Sequence, residues 1–165
     1  MSKTSENLKA AFAGESQANR KYLAFSKKAE QEGKTGLALL FKAAADGETV
    51  HALNHFSVLG EIKSGDENLQ SAIKGETYEI EIMYPEFIST SKDEKHSEAE
   101  VSFSRAEKVE EVHQKLFKEA FKKNGEIEEK EYFVCGVCGY PSIGKIPERC
   151  PVCGAPKEKF NKVIL

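Results

Sequence analysis

Four long stretches of the chain carry apolar residues at three- and four-residue intervals, the period of a helix with one buried face. Leu8, Ala11, Phe12, Tyr22, Phe25 and Ala29 mark a first helix over 5–32. Leu37, Phe41, Ala44, Val58 and Ile62 mark a second over 36–62, with Thr35 as its expected N-cap. Leu69, Ile73, Ile80, Met83 and Phe87 mark a third over 67–89. Pro85 lies inside it and is expected to bend it or force a local adjustment, because proline has no N–H to give to the helix ladder. Phe103, Ala106, Phe117 and Phe121 mark a fourth, starting at the capping-box pattern of Ser91 or of Ser97 and ending at Asn124-Gly125. From Tyr132 the texture changes to short apolar pieces among glycines, prolines and cysteines. The expected organisation is a four-helix bundle over 1–124, a charged linker over 125–131 and a small module over 132–165.

Each apolar stripe is interrupted by acids and histidines. Glu15 interrupts the first, Glu48 and His51 the second, Glu76 the third, Glu110 and His113 the fourth. A Glu-x-x-His pair sits one helical turn apart on one face. Glu15 precedes Glu48 by 33 positions and Glu76 precedes Glu110 by 34, so the helical part reads as two halves, each giving Glu and then Glu-x-x-His. A lone inward Glu or His is usually a satisfied core group, but six such groups at repeated spacing argue for a shared purpose. Four carboxylates crowded in a core would repel and protonate unless cations compensated them. One Glu from each of two helices and Glu-x-x-His from each of two others is the ligand pattern of two-metal bundles. Carboxylate with imidazole suits iron or manganese. Glu79, one turn after Glu76, is a surplus ligand that could exchange with another when the metal changes oxidation state. Glycine precedes Glu15, Glu48 and Glu76; glycine costs about 1 kcal/mol in a helix interior, so close packing near the acids is expected. His55 reads as a packing neighbour or a support of the ligands, although His51-x-x-x-His55 could hold zinc, and His96 reads as a solvated loop residue.

Composition narrows the remaining classes. The net charge of -3 and the lack of a basic patch interleaved with aromatics speak against nucleic acid. No apolar run approaches the ~20 residues that span a bilayer, and Met1–Leu8 lacks a signal-peptide core. A cytoplasmic location is therefore expected. All four cysteines lie in two Cys-x-x-Cys pairs, Cys135 with Cys138 and Cys150 with Cys153. Two such knuckles make a tetrahedral four-thiolate site, which holds zinc structurally or iron for electron transfer.

Ala13-Gly14-Glu15-Ser16-Gln17-Ala18, Gly75-Glu76-Thr77-Tyr78-Glu79, Met83-Tyr84-Pro85, the two Glu-x-x-His pairs and the cysteine knuckles of Tyr132–Phe160 resemble the rubrerythrin family over nearly the whole chain. The resemblance implies an all-α ferritin-like four-helix bundle with a non-haem di-iron site, followed by a small rubredoxin-like domain with one iron, zinc being the other metal its cysteines suit. It implies reduction of hydrogen peroxide to water as a defence against oxidative stress. The matching acid Glu79 and histidine His51 would alternate as ligands to one iron. Tyr22 and Tyr84 match tyrosines whose hydroxyls contact ligands or bound oxidant, which with Glu79 makes them the expected catalytic set. With no dinucleotide motif in the chain, electrons from NAD(P)H would arrive through a separate reductase or rubredoxin.

The break between the second and third helices is short. A ferritin-like order makes these helices parallel, so their connection must run the length of the bundle. About 25 helical residues span roughly 37 Å, whereas a break of about five residues reaches at most ~18 Å. A domain-swapped homodimer is expected, helices one and two of one chain meeting three and four of the other; a plain up-down-up-down bundle is its rival. Two further functions compete with the peroxidase: a ferroxidase or iron store using oxygen, and a non-redox zinc-ribbon binding module on a structural bundle.

Overall fold

The structure is a computed structural model and describes residues 2–165. It divides into two compact units, one ending at Lys63 and one spanning Ser64–Leu165.

The first unit is a helical hairpin. Helix α1 runs over Lys3–Gln31, with the Ser2 hydroxyl accepting from the Ser5 N–H. Gly33, at φ +72°, ends it, the conformation a glycine adopts without a Cβ penalty. Helix α2 runs over Thr35–Val58. Thr35 is therefore its first residue and not its cap; Lys34 takes the cap position and its side chain makes no capping bond. Gly60, at φ +70°, closes the helix short of Ile62. The seam between α1 and α2 is built on small side chains, with Ala29, Ala38, Ala45 and Ala52 buried, so the two backbones come close. Asn19 is buried in the seam and its amide donates to the Ala45 carbonyl at 2.7 Å and to Thr49 Oγ1 at 2.8 Å. Phe12 stacks on Phe56 with ring centroids 4.8 Å apart. Leu39, Leu40, Val50, Leu53 and Val58 of α2 stay exposed.

The second unit opens with a reciprocal capping box in a stretch that the sequence pattern suggests is a loop. The Ser64 hydroxyl accepts from the Glu67 N–H while the Glu67 carboxylate accepts from Ser64. Helix α3 (Gly65–Tyr78), a π-helical turn (Glu79–Met83) and helix α4 (Tyr84–Asp93) come next without interruption. The helix therefore runs past 89 to Asp93, and the local adjustment expected at Pro85 is the wider turn just before it. Helix α5 runs over Ser97–Lys122. Its cap is His96, whose Nδ1 accepts from the Ala99 N–H at 3.3 Å. His96 is thus a helix cap and not merely a solvated loop residue; the helix starts at Ser97, one of the two expected places, but without a serine cap, since Ser97 is already its first residue and Ser91 still belongs to α4. Helix α5 packs along both α3 and α4.

After Gly125 the chain forms a three-stranded antiparallel sheet in the order β2-β1-β3, with β1 at Tyr132–Cys135, β2 at Pro141–Ile143 and β3 at Phe160–Lys162. Its small core gathers Cys135, Cys150 and Phe160 against Tyr140 and Ile146. The expected crowding at the glycines is not seen. A Cβ added to Gly14, Gly47 or Gly75 would meet nothing within 4 Å among the described residues. Among the described residues no helix is long and apolar enough to cross a membrane.

Candidate metal centre

Each unit gathers three of the expected ligands. In the first, Glu15 of α1 meets Glu48 and His51 of α2, one ligand atom of each lying within 4.8 Å of the others. His51 Nδ1 is 3.0 Å from Glu48 Oε2. In the second, Glu76 of α3 meets Glu110 and His113 of α5 within the same limit. His113 Nδ1 lies 2.6 Å from Glu110 Oε2 and 3.8 Å from Glu76 Oε1. The helical period dictates both arrangements: a carboxylate and an imidazole three residues apart share a face, and the neighbouring helix supplies the third group.

Polar pins that the sequence reading missed fix the helices beside these groups. Gln114, next to His113, donates to Thr77 Oγ1 at 2.7 Å, and Thr77, next to Glu76, donates to the Ile73 carbonyl at 2.6 Å. Asn19 and Thr49 do the same work in the first unit. Thr49 and Thr77 each directly follow an acid on an apolar stripe, a signal the chain carries, whereas nothing local marks Asn19 or Gln114 as their partners.

Glu79 does not join the three converging groups of its unit, and His55 does not join those of the first. Glu79 still feels the cluster. Burial raises its carboxyl above the ordinary range, Glu110 adds to this, and His113 opposes it. Burial, and then the shared hydrogen bond and charge of Glu110, push Glu76 up to about 8. Tyr84 is raised by burial and then by Glu110, Glu79 and Glu76. Three acids and a phenol thus crowd one place, where divalent cations or extra protons must balance the charge.

The metal-free protein should accordingly lose stability as pH rises. The folded state holds the Glu76 proton more tightly than the unfolded chain, whose carboxyl has the ordinary value of 4.5. Stability is then fully present below about 4.5 and is lost progressively up to about 8. Denaturation midpoints of metal-free protein at a series of pH values check this, and Glu76→Gln is expected to flatten the dependence.

The third cluster is the thiol cage. Cys135 Sγ lies 3.7 Å from Cys153 Sγ, and Cys138 Sγ 3.5 Å from Cys150 Sγ. A tetrahedral ion with metal–sulfur bonds of about 2.3 Å requires sulfur–sulfur edges of roughly 3.7 Å, so the four residues fit one metal. Gly139 and Gly154 have φ of +87° and +73° and return their N–H groups to the Cys135 and Cys150 carbonyls. Burial pushes the Cys135 thiol up, but the Val137 and Cys138 N–H groups and the neighbouring thiols outweigh it and bring it down to about 7. Burial raises Cys138 and Cys153.

Comparison with known proteins agrees with this donor set. The rubrerythrin family profile matches residues 6–121, and the profile of the rubrerythrin rubredoxin-like domain matches 133–161. Rubrerythrin-2 of Clostridium acetobutylicum is 37% identical over 96% of this chain and 95% of its own. Nigerythrin of Nitratidesulfovibrio vulgaris is 36% identical over 96% and 85%. A solved structure of nigerythrin in its fully reduced, all-ferrous state superimposes with a TM-score of 0.59 at 35% identity, covering 99% of this chain and 88% of that one. Helical hairpins carrying Glu and Glu-x-x-His, a four-thiol cage behind them and these matches along the whole length show that the chain belongs to the rubrerythrin family, peroxidase-like oxidoreductases with a ferritin-like di-iron domain and a rubredoxin-like iron domain.

Proposed function

We propose that the protein reduces hydrogen peroxide to water in the cytoplasm, at a di-iron site of Glu15, Glu48, His51, Glu76, Glu79, Glu110 and His113. Electrons would come from rubredoxin or an NAD(P)H-dependent rubredoxin reductase, through iron held by Cys135, Cys138, Cys150 and Cys153. By function the chain then divides into a di-iron domain over 1–124, a linker over 125–131 and a relay domain over 132–165. The observation that carries this reading is the pair of matching Glu-Glu-His convergences, one per unit.

A bound iron pair would supply the two electrons with which peroxide and two protons become two waters. The chain's own groups supply the protons. Glu79 or the Tyr84 hydroxyl would carry them, the phenol being held protonated at neutral pH by burial and by the surrounding acids. The relay also has a short path within the second unit. Gly139, next to Cys138, faces Val109, next to Glu110: a Cβ on Gly139 would meet Val109 Cγ1 at 3.8 Å.

The test uses protein loaded with iron at both sites. Reduced protein should oxidise rapidly with peroxide, slowly with oxygen, and then accept electrons from reduced rubredoxin. Preferential turnover of oxygen with ferric product accumulating would favour the ferroxidase, and failure to oxidise rubredoxin would sink the reading.

The reading extends to a swapped homodimer. Helix α2, with 24 residues, is about 36 Å long, while the six residues from Leu59 to Ser64 reach at most ~21 Å. The exposed apolar residues of α2 and the open space at Gly14, Gly47 and Gly75 also suit a second copy. Each site would then take Glu15, Glu48 and His51 from one chain and the remaining ligands from the other. Co-expression of Glu48→Ala with Glu110→Ala chains measures this. A swapped dimer rebuilds one intact site per mixed dimer, roughly a quarter of wild-type turnover with random pairing. An unswapped bundle rebuilds none.

A further inference from the structure

The two units repeat one another with a single discrepancy. Phe12, Gly14, Glu15 and Ser16 correspond to Ile73, Gly75, Glu76 and Thr77 at an offset of 61, whereas Tyr22, Phe25, Phe41, Glu48 and His51 correspond to Tyr84, Phe87, Phe103, Glu110 and His113 at an offset of 62. The local geometry repeats as well. The Ser16 hydroxyl donates to the Phe12 carbonyl at 2.6 Å, and that of Thr77 to Ile73 at 2.6 Å. The rings of Tyr22, Phe25 and Phe41 form a triangle with centroid distances of 6.3, 6.3 and 5.5 Å. Those of Tyr84, Phe87 and Phe103 form one with 6.4, 6.5 and 5.4 Å. The second half therefore holds one residue more, and it lies between Thr77 and Tyr84.

That interval contains the π-turn. An α-helix advances about 100° per residue. Tyr22 follows Glu15 by seven residues, which is within about 20° of two full turns. Tyr84 follows Glu76 by eight, which in a regular helix would turn it about 80° off the Glu76 face. The Tyr84 N–H bonds instead to the Glu79 carbonyl, five residues back. Such a turn absorbs one residue without rotating the helix beyond it, and the tyrosine keeps the same ring partners as its counterpart.

We propose that Glu79–Met83 carries a one-residue insertion that the helix absorbs as a π-turn, and that this turn is what keeps Tyr84 on the face of Glu76, the counterpart of Tyr22 on the face of Glu15. The influence of Glu110, Glu79 and Glu76 on the Tyr84 phenol agrees with that placement. Pro85 belongs to the same device. In a regular helix its ring would meet the Glu81 carbonyl and leave it without a donor; after the wide turn it stands in the first turn of α4. The activity arm of the test rests on the peroxidase reading, but the register claim does not.

Two full-length variants test the register in crystals of the metal-free protein. The first deletes Ile82, whose side chain is half-exposed, together with Pro85→Ala. Seven residues then separate Glu76 from the tyrosine, and the helix should run as regular α-helix from Gly65 to Asp93 with the ring triangle intact. The second inserts alanine after Ile82. The tyrosine should turn out of the triangle by about 100°, and peroxide turnover should fall to the level of Tyr84→Phe, about 10- to 100-fold below wild type, with the same altered pH profile. A deletion variant that loses the triangle, or an insertion variant that keeps it, overturns the proposal. If the deletion variant does not fold, the insertion variant decides alone. Absence of peroxide turnover in the wild type would defeat the functional reading and leave the crystallographic outcome standing.

Discussion

Glu110→Ala is expected to abolish iron binding at the acid cluster and to lower peroxide turnover by more than 100-fold, a larger loss than the 10- to 100-fold typical of groups that merely support a ligand. Glu110 acts on each other group of its cluster. Its Oε2 is 2.6 Å from His113, it shares a hydrogen bond with Glu76, and its charge raises Glu76, Glu79 and Tyr84. Removing it relieves repulsion in the metal-free protein. Stability and activity should therefore move in opposite directions: metal-free Glu110→Ala should resist denaturant at pH 8 better than metal-free wild type, while the loaded enzyme is dead. This is the signature of a site held against its own electrostatics for the sake of function. Iron analysis, circular dichroism and denaturation at pH 8 check the three parts. A variant that keeps two irons at the acid site, or is less stable without metal, would contradict the assignment.

Cys150→Ser is expected to have an effect of similar size on a different quantity. Cys150 is 3% exposed and forms the core of the C-terminal sheet with Cys135 and Phe160. Small modules of this kind depend on their metal for folding, so amide protection across 132–162 should disappear while the helices keep theirs. Peroxide reduction by protein recharged with a small chemical reductant should survive. Rubredoxin-driven turnover should drop on the order of 100-fold or more, the loss expected when a metal ligand and not just its support is removed. Turnover from rubredoxin at the wild-type rate would show that electrons bypass the cysteine iron.

Where the structure departs from the sequence expectations, the causes are physical. Thr35 and the serine-led boxes fit capping statistics, yet a cap depends on where the preceding chain leaves the helix. Gly33 turns the chain so that Lys34 takes the cap position, and α4 runs on to Asp93, which leaves His96 to cap α5. Crowding is expected at the glycines before the acids, but glycine reports only that a side chain is absent, and the space beside Gly14, Gly47 and Gly75 is open. Pro85 is expected to bend or locally adjust the helix, and nothing near it in the chain specifies the form of that adjustment.

The helical pairs, the metal-ligand types, their grouping as Glu with Glu-x-x-His and the cysteine cage were all legible in the amino-acid order, because periodicity and short spacing fix which side chains share a face or a turn. Even the anomaly was there, 33 positions in one half and 34 in the other. It took the folded chain to settle how that extra residue is absorbed, that Glu79 stands outside the three converging groups, and that Asn19 and Gln114 pin the helices beside the acids. The absorbed residue and the place of Glu79 depend on helix α5 holding α3 and α4 in register on either side of the wide turn, and the pins on which helices pair; these are constraints between segments distant along the chain that no local pattern expresses.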